Sequence, residues 1–254
     1  MKIARFTTGE DPRYGVLDGE DLVVLTGDPL YTPPTPTGQR VPVDSVRLLA
    51  PVIPRSKVVC VGRNYAEHAA ELGNEVPELP LLFIKPNTTV VGPDDPIVLP
   101  SWSQEVHHEA ELAVVISRIC KDISAEQAGQ VILGYTAAND VTARDVQKED
   151  KTWTRGKMFD TSCPLGPSLV TDLDPADLRI SASVDGEMRQ DGRTSQMIRS
   201  VADLVAYASS IFTLLPGDVL LTGTPAGVGP IEAGQRVEVE IEGIGTLGNP
   251  VLRR

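Results

Sequence analysis

The stretch His107-His108-Glu109-Ala110-Glu111-Leu112-Ala113-Val114-Val115-Ile116 joins two carboxylates to an uninterrupted apolar run. The run 112–116 has the length and character of a buried strand. Because side chains alternate along a strand, Glu109 and Glu111 should project from one face just before the strand becomes buried. We therefore expect a buried sheet that ends in a strongly anionic face.

Two carboxylates held close together repel each other unless a proton or a cation lies between them. Oxygen ligands suit a hard divalent ion such as Mg²⁺, Mn²⁺ or Ca²⁺. Asp140 follows a second apolar stretch, 131–138, and is a candidate for a third oxygen ligand. The alternative is that Glu109 and Glu111 lie on the wet face of a half-exposed strand.

The composition describes a chain that can bury one substantial core, because 41% of its 254 residues are hydrophobic. A formal charge of −12 argues against a nucleic-acid partner, whose phosphates require a basic surface. No run of eighteen apolar residues suggests a membrane span, and the start lacks a signal-peptide apolar block, so a cytoplasmic location is expected. The three cysteines are odd in number and far apart, which indicates neither disulfides nor a thiolate metal site.

The first fifty residues predict a small β domain. Short strands are expected over 2–7, 14–17 and 22–25, followed by a proline-rich connector at 31–38. A second proline cluster at 51–54 marks the predicted boundary. We therefore expect an N-terminal domain over 1–50 and a catalytic domain over 51–254.

A short helix is predicted after the apolar strand 58–62, with Asn64 as its cap and Gly73 at its end. On that helix His68 and Glu71 are three residues apart and share a face. A carboxylate beside an imidazole sets its tautomer, as a general base requires. The alternative is an exposed pair on a surface helix.

Further charged residues follow predicted strands. Lys85 ends an apolar strand predicted to be buried, 81–85, either as a solvated strand end or as a counter-charge to the carboxylates. Arg144 and Gln147 share a face of a helical turn and could meet a substrate carboxylate; a surface ion pair of Arg144 is the alternative. The charged run 148–151 predicts a solvated loop.

Two other segments are candidates for the lining of a site. The stretch 153–167 mixes Lys157 and other charges with Gly and Pro, which predicts irregular backbone. The glycine-rich loop 222–229 would let the backbone approach a ligand, with Thr224 offering a hydroxyl. A capped helix over 200–212 and most of the last third are predicted to be structural.

Together these motifs resemble the fumarylacetoacetate hydrolase superfamily from about Leu49 to Val251. Six ordered blocks carry the resemblance, which makes it far more specific than any one of them alone. The blocks are Gly62-Arg63-Asn64-Tyr65-Ala66-Glu67-His68, Phe83-Ile84-Lys85-Pro86, His108-Glu109-Ala110-Glu111-Leu112, Asn139-Asp140-Val141-Thr142-Ala143-Arg144-Asp145-Val146-Gln147, Lys157-Met158-Phe159-Asp160-Thr161 and Gly223-Thr224-Pro225-Ala226-Gly227-Val228-Gly229.

The resemblance implies a mainly β fold with short helices, a mixed β-sandwich roll, and commonly a homodimer. It implies a divalent metal, usually Mg²⁺, held by Glu109, Glu111 and Asp140. It also implies that the helix carrying His68 and Glu71 closes as a lid. The expected catalytic residues are His68, Glu71 and Lys157, and the expected substrate-binding residues are Arg63, Tyr65, Arg144, Gln147 and Thr224.

The hypothesis that follows is metal-dependent cleavage of a C–C bond in a small 2-oxo or 2,4-dioxo acid through an enolate. Acylpyruvate hydrolysis and oxaloacetate decarboxylation are the two forms of this chemistry. An alternative is isomerisation or decarboxylation of substrates of the 2-hydroxyhepta-2,4-diene-1,7-dioate type in aromatic catabolism. A non-catalytic 2-oxo acid binding protein is the alternative of another class, because fold kinship does not choose a reaction.

Overall fold

The computed structural model describes residues 1–253 and consists mainly of strands with a few short helices. The strands are β1 (Lys2–Thr7), β2 (Arg13–Asp18), β3 (Asp21–Leu25), β4 (Pro36–Pro42), β5 (Arg47–Leu49), β6 (Val58–Gly62), β7 (Leu81–Lys85), β8 (Val90–Val91), β9 (Ile97–Leu99), β10 (Val106–His108), β11 (Ala110–Ile116), β12 (Ile132–Asn139), β13 (Thr142–Ala143), β14 (Cys163–Val170), β15 (Arg179–Val184), β16 (Glu187–Arg193), β17 (Val219–Leu221), β18 (Gly229–Pro230), β19 (Arg236–Ile241) and β20 (Gly245–Arg253). The α-helices are α1 (Ala66–Glu71), α2 (Arg144–Glu149), α3 (Thr154–Lys157) and α4 (Val201–Ile211). Short 3₁₀ helices cover Val43–Ser45, Asn87–Thr89, Ala125–Gln130 and Thr194–Gln196. The predicted mainly β fold is confirmed.

The strands form three sheets of mixed direction. The largest has the order β4-β3-β2-β1-β14-β12-β11-β17-β6-β7, with β5 paired to β1 and β8 paired to β14. A five-stranded sheet has the order β16-β15-β19-β20-β9, and a three-stranded one the order β13-β10-β18. Most pairs are antiparallel, whereas β17–β6, β14–β8 and β20–β9 are parallel.

Strand β11 lies in the centre of the large sheet, and all seven of its residues are buried. Leu112 and Val114 pack into the main core, which is shared with α4 and the five-stranded sheet. Ala113 and Val115 face a second core on the opposite side of the sheet. Both faces of β11 are therefore covered, and Glu111 lies on the same face as Ala113 by alternation.

The strands of the N-terminal segment extend the large sheet, because β1 pairs with β14. Ile3 of β1 and Leu25 of β3 belong to the second core. The strands predicted over 2–7, 14–17 and 22–25 are present, and β4 begins at Pro36, within the last three residues of the predicted connector 31–38. The division at residue 50 stays a prediction.

Two local predictions, the cap of α4 and the end of α1, are confirmed. Ser200 caps α4 through a hydrogen bond from the Asp203 amide. Gly73 takes a left-handed conformation (φ +68°) after α1. No helix in residues 1–253 is long and apolar enough to cross a membrane.

Three local predictions are wrong. Asn64 does not cap α1; its side chain instead donates to the Arg199 and Thr222 carbonyls. Strand β7 is not a buried strand, because it lies at the edge of the large sheet and leaves Leu81 and Ile84 each 38% exposed. The irregular segment ends sooner than predicted, since β14 begins at Cys163.

Candidate active site

Three carboxylates meet where the central strands of the large sheet end. Glu109 lies between β10 and β11, Glu111 lies in β11, and Asp140 directly follows β12. The pairing of β11 with β12 sets Ala110 opposite Asn139, which brings Asp140 beside Glu109. Candidate ligand oxygens of the three residues all lie within 4.8 Å of one another. All three residues are buried, so the wet-face alternative for the glutamates is wrong.

Three buried cations surround these carboxylates. Lys157 Nζ lies 2.7 Å from both Glu109 Oε2 and Asp140 Oδ2. Arg144 Nη2 donates to Glu109 Oε1 at 2.5 Å. Lys85 is fully buried and lies 2.8 Å from Asp140 Oδ1, and it also donates to carbonyl oxygens of Lys157 and Ser162. Of the two alternatives for Lys85, the structure therefore supports a counter-charge to the carboxylates rather than a solvated strand end.

The surrounding charges shift the pKa values of the two glutamates in opposite directions. Burial alone would raise the pKa of Glu109, but Lys157 and Arg144 outweigh it and hold the pKa below its ordinary value. Burial, with Asp140 and Glu109 adding to it, raises the pKa of Glu111 well above its ordinary value. Glu111 accepts a hydrogen bond only from the Gly223 amide, at 2.6 Å, among the described residues. Glu111 is thus the carboxylate with the least positive charge beside it.

The donor set fits a hard divalent cation. All the candidate ligands are oxygens, as Mg²⁺ and Mn²⁺ prefer. Asp140 Oδ1 is buried 2.8 Å from the Lys85 ammonium, but no group within residues 1–253 donates to it with hydrogen-bond geometry. Glu109, Glu111 and Asp140 could therefore hold a metal ion, and a cation among them would offset the repulsion that acts on Glu111.

His68 and Glu71 lie on α1 at the rim of this cluster. His68 is 6% exposed, so it is not a surface histidine. Its Nδ1 atom lies 3.5 Å from Glu71 Oε2 and makes no hydrogen bond within residues 1–253. Glu71 also accepts from the Gly227 amide. Burial, with Arg144 and Lys157 adding to it and Glu109 opposing it, lowers the pKa of His68. The imidazole is therefore neutral near pH 7 and able to accept a proton.

A cavity of about 420 Å³ opens above the carboxylates. Among the predicted site residues, those that line it are Arg63, His68, Glu109, Glu111, Asp140, Arg144, Gln147, Lys157 and Thr224. Arg144 Nη1 donates to Gln147 Oε1 at 2.7 Å, which joins two of the predicted substrate-binding residues.

Two predicted site residues do not line this cavity. Tyr65 is buried and borders a separate cavity of about 190 Å³, and its hydroxyl has no hydrogen-bond partner within the described part of the chain. Glu71 stands behind His68 and contacts the loop at Gly227. Their predicted roles stay predictions.

The site contains residues beyond the predicted catalytic, substrate-binding and metal-binding residues. Lys151 lines the cavity, although the run 148–151 was expected to be only a solvated loop. Trp153 also lines it and comes from the stretch 153–167, which was predicted to line a site. Gln190 is fully buried and donates to Thr224 Oγ1 at 2.7 Å. Asn139 Oδ1 accepts from the Glu109 amide at 2.9 Å. The position of Asn139 beside Asp140 was a usable signal, whereas Gln190 lies in a hairpin with no local indication of function.

Comparisons with known proteins cover nearly the whole chain. Residues 57–252 match the family model described as fumarylacetoacetate (FAA) hydrolase C-terminal, and residues 1–51 match the model described as Rv2993c-like, N-terminal. The chain is 47% identical to human oxaloacetate tautomerase FAHD2A, mitochondrial, over 223 residues, which cover 83% of this chain and 71% of the human protein.

Two solved structures have the same fold. The structure of 5-carboxymethyl-2-hydroxymuconate delta-isomerase from Mycobacterium smegmatis has 48% identity and a TM-score of 0.93, with 100% of both chains covered. The structure of fumarylpyruvate hydrolase from Pseudomonas aeruginosa in complex with Mn²⁺ and pyruvate has 38% identity and a TM-score of 0.75, with 86% of this chain and 93% of that chain covered.

These relatives are an isomerase, a tautomerase and a hydrolase of small organic acids. The family model alone spans far more than half of the chain. The resemblance based on six sequence blocks is thereby confirmed, and the chain belongs to the fumarylacetoacetate hydrolase family as an enzyme that processes a small organic acid.

Proposed function

We propose that the chain is a metal-dependent enzyme that forms the enolate of a small 2-oxo diacid, and that it catalyses keto–enol tautomerisation of oxaloacetate. The observation that carries the proposal is the Glu109, Glu111 and Asp140 cluster at the base of a cation-lined cavity. The sequence similarity to an oxaloacetate tautomerase and to an isomerase supports the choice of reaction. Mg²⁺ or Mn²⁺ is the proposed metal.

The charge of the cavity supports a dicarboxylate as substrate. The basic residues that line it are Arg63, Arg144, Lys148, Lys151 and Lys157. Within residues 1–253, Arg63 and Lys151 have no carboxylate within 4.0 Å, whereas Lys157 and Arg144 already pair with Glu109. The chain has a net charge of −12, so Arg63 and Lys151 would supply the local positive charge that attracts an anionic substrate.

When bound, a divalent cation supplies Lewis-acid stabilisation of the negative charge that develops on a 2-oxo group. His68 is the proposed base: its Nδ1 atom is buried against Glu71, which leaves Nε2 for the substrate. Neutral His68 would take a proton from the carbon beside the 2-oxo group and return it at oxygen, or the reverse. Burial disfavours the charged form of Lys157, but Asp140 and Glu109 outweigh it and raise the pKa of Lys157. Lys157 therefore stays charged, and a buried positive charge would stabilise the developing enolate more strongly than an exposed one.

C–C bond cleavage is the second candidate, and the adjacency of His68 and Glu71 favours it. For an acylpyruvate, His68 with Glu71 would deprotonate a water that attacks the distal carbonyl, while Lys157 or Gln147 stabilises the departing enolate. Oxaloacetate decarboxylation needs the enolate but no attacking water. The similarity to a fumarylpyruvate hydrolase also supports this branch. Isomerisation of a diene-dioate would use the same proton transfers.

The test of tautomerisation follows the ultraviolet absorbance of the oxaloacetate enol with Mg²⁺ or Mn²⁺ and with a chelator. Acceleration that the chelator abolishes is expected, and Glu109→Gln should abolish it as well. Glu105→Gln is the matched control, because its side chain is 42% exposed and lies outside the cluster. Full activity in the chelator or in Glu109→Gln would contradict the proposal.

The cleavage branch is tested by measuring pyruvate released from acetylpyruvate and from oxaloacetate in the same preparations. Metal-dependent pyruvate release from acetylpyruvate would place hydrolysis above tautomerisation, and release from oxaloacetate alone would indicate decarboxylation. We also propose that the chain forms a homodimer. Light scattering should then give twice the mass of one chain, and the mass of a single chain would contradict the proposal.

A further inference from the structure

We infer that Gln190 is a positioning residue that holds the Thr224 hydroxyl as a hydrogen-bond donor toward a substrate oxygen. The inference rests on the proposed function, because it concerns the same cavity, which Thr224 lines. Gln190 itself does not line the cavity; it lies behind Thr224 in strand β16 and is fully buried. Its neighbours in the strand, Arg189 and Asp191, are exposed.

The orientation of the Gln190 amide follows from its backbone partners. Its Oε1 atom lies 2.9 Å from the Ala110 amide nitrogen, which can only donate. Its Nε2 atom lies 2.8 Å from the Pro225 carbonyl oxygen, which can only accept. A flipped amide would face a donor with a donor and an acceptor with an acceptor, so the assignment is unambiguous.

The same orientation determines the tautomer of His108. Its Nδ1 atom lies 3.0 Å from Gln190 Oε1, an acceptor, so Nδ1 must carry the hydrogen. His108 and the Ala110 amide thus both donate to one oxygen. These two donors belong to strands β10 and β11. Rotation of the Gln190 side-chain amide would leave both of them buried without an acceptor.

The fixed amide then determines the direction of the Thr224 hydroxyl. Gln190 Nε2 donates to Thr224 Oγ1 at 2.7 Å, so that oxygen acts as the acceptor of this bond. Its hydrogen is left to point elsewhere, and Thr224 donates to no other group among the described residues. A hydroxyl that accepts on its buried side can donate on its cavity side, which suits a carboxylate or enolate oxygen.

Close packing keeps the loop with Thr224 against β16. A Cβ atom at Gly192 would lie 2.7 Å from Pro225 Cβ, and one at Gly227 would lie 2.1 Å from the Arg189 carbonyl oxygen. Gly227 also has a positive φ of +96°. The loop therefore fits its strand only with glycine at both positions, and the distance from Gln190 to Thr224 is set by backbone contact.

The test is a double-mutant cycle with Gln190→Met and Thr224→Val. Each single variant should lower kcat/KM for oxaloacetate, by on the order of 100-fold for T224V, which removes the donor, and roughly tenfold or more for Q190M, which releases its direction. In the T224V background, Q190M should cost less than about twofold, because Gln190 then has no hydroxyl to orient. Equal losses from Q190M in both backgrounds would overturn the inference, since a structural role acts in either. The same cycle run on the calorimetric Kd for pyruvate provides a readout that does not depend on turnover.

The outcomes separate this inference from the proposed function. A wild-type enzyme that binds pyruvate but does not turn over oxaloacetate contradicts the proposed reaction, and the cycle on Kd still decides the role of Gln190. A wild-type enzyme that neither binds pyruvate nor turns over oxaloacetate overturns both. If Q190M does not fold, Gln190→Asn replaces it, because its amide keeps a polar group in the buried position but is one methylene too short to reach Thr224 from the same backbone.

Discussion

Lys157 is the residue whose loss should reveal the balance of charge in the site. Its ammonium contacts Glu109 and Asp140 at 2.7 Å each, and the two carboxylate side chains are only 5% and 2% exposed. Replacing Lys157 by Met leaves these charges without their shared partner. Removing one member of a buried ion pair costs about 3–5 kcal/mol. At about 2–4 °C per kcal/mol for a chain of this size, the melting temperature of the metal-free variant should fall by roughly 6–20 °C.

A bound metal should offset that loss. Mn²⁺ at a thousand times its Kd stabilises a protein by about 4 kcal/mol, close to the cost of the missing ammonium. Because the cation replaces charge that the variant lacks, Mn²⁺ should raise the melting temperature more in Lys157→Met than in the wild type. The assay is differential scanning calorimetry of chelator-treated protein with and without Mn²⁺.

Lys148→Met is the matched control for this experiment, since Lys148 lines the same cavity but its side chain is 66% exposed. It should shift the melting temperature little. The reasoning is refuted if metal-free Lys157→Met melts as the wild type does, or if Mn²⁺ stabilises it no more than the wild type.

Three further predictions concern the metal, the base and the core. Mn²⁺ affinity should rise with pH, because the pKa of Glu111 is raised and metal binding must release its proton. Calorimetry in buffers of different ionisation heat measures both the affinity and the protons released. An affinity that does not change with pH, or binding without proton release, would contradict this prediction. His68→Ala should lower turnover by roughly 10²–10⁴-fold and leave Mn²⁺ affinity unchanged. Since the pKa of His68 is lowered from 6.5 and the base must be neutral, wild-type kcat/KM should decline only as pH falls through a value below 6.5, and a midpoint above it would argue against this base. Leu112→Ala should cost about 2–5 kcal/mol in urea unfolding, whereas Ile119→Ala, at a side chain 68% exposed, should cost less than about 0.5 kcal/mol.

The features that could be predicted from the sequence depend on neighbours along the chain. Alternation placed Glu109 and Glu111 at the start of a buried strand, and spacing placed His68 three residues from Glu71 on one short helix. The cap at Ser200 likewise needs only the residues that follow it. Such patterns reflect local geometry, which the order of residues contains directly.

The features that could not be predicted depend on which distant strands become neighbours. Strand β7 is apolar in sequence, but its place at a sheet edge exposes two of its five residues. Gln190 reaches Thr224 only because β16 packs on a loop more than thirty residues later. Glu71 is drawn to the Gly227 amide, 156 positions away, rather than to His68 alone. Pairing of this kind is decided by the topology of the sheets and has no local signature.

The most direct test of the metal site is a calorimetric titration of chelator-treated protein with Mn²⁺, in the wild type and in Glu111→Gln. The substitution keeps an oxygen that can accept from the Gly223 amide, so the local hydrogen bond is preserved while the ligand charge is removed. The account predicts binding of one ion per chain in the wild type and a loss of at least tenfold in affinity in the variant. Equal affinity in the two proteins, or no binding to the wild type, would contradict it.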